Sequence, residues 1–219
     1  MLFVFCVKTC NNKHFFGINK AIVKKTKLSL QKLTEIHTMS TTLIQRLRLS
    51  GQITRGLFLT DRRRTVLGRV WQLFSRFTWE LPQTLSGWLF TLVRALVGQV
   101  DRVDALGGIT FAIGPTRRYG LGVSLGTFVD LWAGDWMSKE LEGRITESQF
   151  CMHEFGHTAD SQRFGLAYIP VVGLASLMSA LGKGNHNIFW TEIRANCHAK
   201  RYFGKHFAVK WDESSYPTK

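Results

Sequence analysis

The segment Cys151–Gly165, CMHEFGHTADSQRFG, contains His153, Glu154 and His157 in the order His-Glu-x-x-His. Four residues of a helix turn the chain through about 400°, so His153 and His157 project from one face, a single turn apart. Two imidazoles at this spacing can share one tetrahedral Zn²⁺ ion, with Glu154 beside the ion. The pattern predicts a zinc site in which Glu154 is the general base for an attacking water.

The flanking residues place this motif inside a helix. Thr146 and Gln149 form a capping-box pattern, and Gly165 stands where a glycine commonly follows the last helical turn. We therefore expect one helix from Thr146 to Phe164. A glycine inside a helix costs about 1 kcal/mol relative to alanine, so we expect another backbone segment to approach Gly156 closely.

A catalytic zinc ion needs a third protein ligand, and the segment Asn185–Gly204 offers Glu192. We expect a second helix here, capped by Asn187 and ended by Gly204. Glu192 then shares a face with small or amide residues, namely Ala195, Asn196 and Ala199. Asn196 is placed to orient a metal ligand through a hydrogen bond. The alternative for Glu192 is an ion pair on the helix surface with Arg194 or Lys200.

Three other residues compete with Glu192 for the role of third ligand, namely His186, His198 and Asp160. His198 is six residues from Glu192 and falls off its helical face, whereas His186 lies in an expected loop. Asp160 is better placed to hydrogen-bond a ligand than to bind the ion. Glu192 is the preferred choice because a catalytic His₂Glu set is a known zinc arrangement.

These residues, in this order, resemble the gluzincins, and in particular minimal forms in which a small sheet precedes the His-Glu-x-x-His helix. The resemblance covers residues 107–204 and includes Glu192 from a second helix. It implies a bound Zn²⁺ ion, hydrolysis of peptide bonds, and a sheet edge that pairs with an extended peptide. It also implies a donor to the tetrahedral oxyanion, for which four candidates stay open: Tyr202, His198, Arg194 and Tyr119.

The stretches TWELPQ, HEFGH and FWTEIRAN together also resemble small proteins of Bacteroides-like bacteria. We expect an α+β fold, mostly helical, with one small antiparallel sheet before the motif helix. Ile109–Ile113 and Leu121–Val129 are predicted to pair as a hairpin with a turn at Gly114-Pro115. Four parts are predicted: a disordered arm or an early start (1–38), a basic and aromatic helical region (39–106), the zincin-like core (107–204) and a tail (205–219).

Two apolar stretches raise the question of a membrane. Pro82 divides the aromatic stretch Trp71–Val100 into two helices. The second carries five apolar residues at helical spacing, for which core burial is favoured over a membrane face: Leu85, Trp88, Leu89, Leu92 and Val93. Gly165–Gly182 contains no charged residue but is interrupted by Pro170, so both core burial and membrane contact stay open.

Composition limits the kind of partner. Among 219 residues, 29 Lys and Arg against 15 Asp and Glu give a net charge of +14, and 16 Phe with 7 Trp exclude a disordered chain. This charge predicts an anionic partner, either a membrane surface or, less favoured, nucleic acid. The first residues lack the features of a signal peptide, so we expect a cytoplasmic protein or one peripheral to the inner membrane.

We therefore expect a zinc-dependent metallopeptidase. The alternative is a basic protein without catalytic activity that binds a membrane or nucleic acid, in which the histidine motif holds a structural ion or none. Four scattered cysteines indicate no disulfide framework.

Overall fold

The computed structural model describes residues 42–114, 121–132 and 145–219. The chain divides into two compact units, Met1–Gln45 and Arg46–Lys219, and the following description concerns the second unit. Its main elements are α1 (residues 46–56 within this unit), α2 (Val66–Arg76), α3 (Leu81–Leu96), β1 (Arg102–Leu106), β2 (Ile109–Gly114), β3 (Leu121–Leu125), β4 (Phe128–Trp132), α4 (Gln149–Phe164), α5 (Leu174–Leu181) and α6 (Trp190–Phe207).

The four strands form one sheet in the order β1-β2-β4-β3. The pairs β1/β2 and β3/β4 are antiparallel hairpins, and the central pair β2/β4 is parallel. The expected α+β class, mostly helical with a small sheet before the motif helix, is confirmed. The expected antiparallel arrangement is wrong, because the parallel pair β2/β4 makes the sheet mixed. The predicted hairpin between Ile109–Ile113 and Leu121–Val129 is wrong. Gly126, at a φ of 60°, turns the chain inside the second stretch, which therefore forms its own hairpin.

Alternation along the strands places one core cluster on each face of the sheet. On one face, sheet residues such as Phe111 and Leu131 pack against Met152 and Phe155 of α4 and Phe203 of α6. On the other face, a second cluster joins the sheet to α1 and α3: Leu49, Ile53, Leu57, Ala95, Val100, Ala112 and Phe128. The sheet is thus the middle of three layers, and α4 with α6 forms the layer that carries the His-Glu-x-x-His motif.

The predicted division at Pro82 is confirmed, because α3 begins at Leu81 with this proline in its first turn. Core burial of the apolar stripe on α3 is wrong for three of the five residues. Leu85, Leu89 and Val93 are exposed, while Trp88 and Leu92 pack against the second core cluster. The reason is that polar residues take the inner face of α3, namely Gln83, Thr84, Thr91 and Arg94.

The uncharged stretch Gly165–Gly182 continues α4 as a 3-10 turn, a π-helical turn and then α5. Core burial holds here only for Gly165, Tyr168 and Val172, because Ile169 is half-buried and the other large apolar residues are exposed. The helical stretch Gln149–Leu181 is apolar and long enough to cross a membrane, with a mean hydropathy of 1.8 in its most apolar window. Length and composition alone are weak evidence for a span.

Candidate metal centre

Helix α4 carries the motif and begins at Gln149, three residues later than expected. Residues 145–147 form a separate helical turn, so the capping role falls to Ser148 instead of Thr146. The Ser148 hydroxyl oxygen accepts a hydrogen bond from the backbone N–H of Cys151 at 3.4 Å. The end at Gly165 is confirmed, with a φ of 51° that favours glycine.

Helix α6 carries Glu192, but its ends differ from those predicted. It begins at Trp190 without a side-chain cap, and Asn187 lies in a preceding 3-10 turn. It continues past Gly204 to Phe207 and ends at Ala208, which has a left-handed conformation. Gly204 is exposed, and an added Cβ atom would meet nothing within 4 Å, so packing does not require a glycine at this position of the helix.

Helices α4 and α6 come together at Gly156. A Cβ atom added to this residue would lie 2.0 Å from the backbone oxygen of Ala195, far inside van der Waals contact. Only glycine therefore permits this approach, as the sequence predicted. The contact brings the inner face of α6, with Glu192, Ala195 and Asn196 all buried, against the face of α4 that carries both motif histidines.

The three predicted ligands meet at one point. The Nε2 atoms of His153 and His157 lie 3.1 and 3.2 Å from Oε2 of Glu192. One donor atom from each residue falls within 4.8 Å of the other two. A tetrahedral zinc ion with bonds of about 2.0–2.1 Å would separate its ligand atoms by roughly 3.3 Å. The donor types and their spacing therefore fit a His₂Glu metal site.

Neighbouring side chains fix which atoms face this point. Nδ1–H of His153 donates to Oδ1 of Asn196 at 2.7 Å, which leaves Nε2 directed at Glu192. Oε1 of Glu192 accepts hydrogen bonds from the hydroxyls of Ser176 at 2.6 Å and Thr191 at 2.8 Å, so Oε2 is the oxygen left for a cation. Asn196 thus hydrogen-bonds a predicted ligand, and its role in orienting a metal ligand stays a prediction.

The pKa values of Glu192 and His153 are shifted in opposite directions, in part because the two side chains interact. Burial by itself would raise the pKa of the Glu192 carboxyl, but hydrogen bonds from His153 and His157 outweigh burial and hold that pKa far below its usual range. Burial likewise lowers the pKa of His153, and its interactions with Glu192, Glu154 and Asn196 outweigh burial and raise it. The carboxylate of Glu192 therefore favours a positive charge at this point, and a bound divalent cation would supply such a charge.

The carboxylate of Glu154 lies in the same cavity but points to β3. Its Oε2 atom accepts a hydrogen bond from the Ser124 hydroxyl at 2.8 Å. Gly122 makes room for it, because a Cβ atom there would lie 2.3 Å from Oε1 of Glu154. The cavity, of about 790 Å³, is lined by β3, by α4 with the start of α6, and by the helical segment 168–180. A volume of this size admits several side chains of a peptide.

Two of the competing ligands are held elsewhere. Asp160 Oδ1 accepts hydrogen bonds from Arg194 at 2.8 Å and from His198 at 3.1 Å, which hold the pKa of Asp160 below its usual range even though burial would raise it. The alternative prediction for Glu192, an ion pair with Arg194 or Lys200 on the helix surface, is wrong. Arg194 is engaged with Asp160, and Lys200 pairs with Glu213.

His186 is the competitor that does face the centre. Its Nε2 atom lies 3.7 Å from Oε2 of Glu192, and its Nδ1 atom lies 3.1 Å from the Ser179 hydroxyl. Among the proposed oxyanion donors, Tyr202 instead donates to Asp61 at 3.0 Å, and Tyr119 lies outside the described residues. The sequence carried no spacing signal for Ser124, Ser176 or Tyr216, whose ring packs 5.8 Å from that of His153.

Protein-family models, curated proteins and solved structures contain no match to this chain. The resemblance to gluzincins therefore stays a prediction, and any function has to be inferred from the geometry of the cavity. That geometry comprises three convergent donors, a third imidazole nearby, and the carboxylate of Glu154, which points to β3.

Proposed function

We propose that the protein is a zinc-dependent metallopeptidase. The observation that carries this proposal is the convergence of His153, His157 and Glu192 within 4.8 Å in a cavity that also holds Glu154. Zn²⁺ bound by the three ligands would lower the pKa of a water molecule and polarise a carbonyl group. Glu154 accepts the proton of the attacking water and passes it to the leaving amine.

The walls of the cavity support an extended peptide as substrate. Strand β3 is the outer strand of the described sheet, and all five of its residues line the cavity. An extended chain can add to such an edge through backbone hydrogen bonds and present alternate side chains to the cavity. The Tyr168 hydroxyl donates to the carbonyl of Ser124 at 3.1 Å, so we place the added chain beside Leu121–Val123.

We assign the stabilisation of the tetrahedral oxyanion to His186. It lies on the cavity wall and is only partly exposed, with Nε2 directed toward the ligand carboxylate. When the Ser179 hydroxyl donates to Nδ1, the proton of the neutral ring resides on Nε2 and can be donated to a substrate oxygen. The other candidates with described positions are hydrogen-bonded to Asp61 or Asp160.

The experiment combines metal analysis with hydrolysis of an unfolded protein substrate. Wild-type protein should contain one zinc ion per chain, and Glu154→Gln should keep it while losing about 10²–10⁴-fold in rate. Glu192→Ala should lose tight zinc binding. Glu213→Gln, at an exposed glutamate of the tail, is the matched control and should change neither property. Stoichiometric zinc without any hydrolysis by wild-type protein would indicate a structural ion and contradict the proposal.

A further inference from the structure

Helix α2 buries only polar side chains and exposes most of its apolar ones. Its buried side chains are Gln72, Ser75 and Arg76. Its exposed residues include Val66, Leu67, Val70, Trp71 and Phe74, with 80% of Leu67 accessible. A helix on the surface of a water-soluble domain normally shows the reverse distribution.

The inverted orientation of α2 is fixed by specific hydrogen bonds. The guanidinium of Arg76 donates to the backbone oxygens of Leu57 at 2.8 Å, Leu59 at 2.7 Å and Gly108 at 3.0 Å. The side chain of Gln72 donates to the oxygen of Gly107 at 3.1 Å and accepts from a backbone N–H at 2.8 Å. Rotating the helix would leave these buried groups without partners, so its apolar side has to face outward.

Helix α3 repeats the inversion. Thr91 donates to Oδ2 of Asp130 at 2.7 Å, and Arg94 forms a buried ion pair with the same carboxylate. Its exposed large residues are all apolar: Leu85, Leu89, Phe90, Val93 and Leu96. Two consecutive helices therefore turn uncharged, apolar faces away from the sheet.

The C-terminal end of α4 packs against these two helices. The Trp79 ring packs 4.9 Å from the Trp71 ring, and its indole N–H donates to the oxygen of Gln162 at 3.1 Å. The side chain of Gln83, at the start of α3, donates to the oxygen of Gly165 at 2.8 Å. We call the exposed apolar residues of α2 and α3 the apolar face.

The exposed charged residues in the segments that carry or adjoin the apolar face are all positive. Between residues 62 and 100 the only acidic residue is Glu80, which is buried, whereas Arg62 and Arg69 are exposed. Between residues 161 and 191 the only charged residues are Arg163 and Lys183. A surface that combines exposed tryptophan and aliphatic side chains with flanking arginine and lysine is complementary to an anionic bilayer.

We propose that the apolar face inserts into the interface of an anionic lipid bilayer. Helix α3, with 16 residues, is about 24 Å long, shorter than the roughly 30 Å of a hydrocarbon core, so it lies in the interface and does not span the bilayer. Lipid removes the apolar side chains from water, while the flanking cations contact lipid head groups. This inference depends on α2 and α3 alone and holds whether or not the metal centre is catalytic.

The experiment is co-sedimentation of the full chain with vesicles of neutral phosphatidylcholine or of phosphatidylcholine with phosphatidylserine. Wild-type protein should bind the anionic vesicles at least tenfold more tightly than the neutral ones, and added salt should weaken binding. The double variant Phe74→Glu with Leu89→Glu should weaken binding to anionic vesicles at least tenfold. Gly204→Glu, which adds charge at an exposed position of α6, is the control and should bind like wild type.

Three outcomes would overturn the proposal. The first is wild-type protein that remains in the supernatant with both kinds of vesicle, and the second is a double variant that binds like wild type. The third is a stable dimer in the absence of lipid that the double variant converts to a monomer, because a second copy would then cover the apolar face. An unchanged thermal unfolding midpoint shows that the double variant is folded, as expected for substitutions at exposed side chains.

Discussion

The pair α4/α6 and the pair α2/α3 both bury polar side chains, but they use them differently. In α2/α3 the buried Arg76 and Arg94 contact backbone carbonyls or a carboxylate, and the outer surface is apolar. In α4/α6 three ionisable side chains face one another across a cavity, and the outer surface of α6 carries exposed Lys200, Arg201 and Lys205.

Buried polar groups therefore do not by themselves identify a functional site. Those of α2 and α3 are paired with fixed protein groups and define which way each helix faces. Those of α4 and α6 lie close together and point at one place, and neighbours hold the outer atoms of His153 and Glu192. Convergence on a cavity, rather than burial, distinguishes the two pairs.

The largest effect is expected where α4 and α6 touch. Gly156→Ala places a Cβ atom 2.0 Å from a backbone oxygen, so α6 has to move away. We expect the free energy of unfolding to fall by at least about 3 kcal/mol, measured by denaturant titration. Gly204→Ala on the same layer is the matched control and should stabilise by up to about 1 kcal/mol. Equal stability of the two variants would contradict the close approach of the helices.

The next largest effect is expected from removing the Arg76 hydrogen bonds that orient α2. Arg76→Met removes hydrogen bonds to three or more buried carbonyls while keeping most of the aliphatic volume. We expect the free energy of unfolding to fall by about 2–3 kcal/mol. Arg69→Met, at an exposed arginine of the same helix, should change it by less than about 0.5 kcal/mol. A small effect of Arg76→Met would mean that the inverted face of α2 is not held by this residue.

The sequence predicted those features that depend on spacing within one helix. His153 and His157 share a face because helical geometry is fixed, and Glu192 falls in line with Ala195 and Asn196 for the same reason. The close approach at Gly156 was predictable because a glycine inside a helix is less stable than alanine, and close packing of another backbone explains its presence.

Features that depend on which element packs against which were not predictable. The periodicity of α3 shows that Leu85, Leu89 and Val93 share a face, but not whether protein or another medium covers that face. Strand β2 pairs with β4. The stretch Leu121–Val129 was predicted as a single strand, but the turn at Gly126 divides it into β3 and β4. The local signals at Thr146 and Asn187 did not set the starts of the two helices, which lie at Gln149 and Trp190.

The smallest effect on stability is expected for an exposed leucine of α3, compared with a buried leucine of β4. Leu131 on β4 is fully buried, and Leu131→Ala should lower the free energy of unfolding by about 2–5 kcal/mol. Leu89 on α3 is 55% exposed, so Leu89→Ala removes side-chain atoms that already contact water. We expect a change of less than about 0.5 kcal/mol for this variant in buffer. A loss above about 2 kcal/mol for Leu89→Ala would mean that protein covers this leucine in solution, and the outward apolar face of α3 would then be an interior contact.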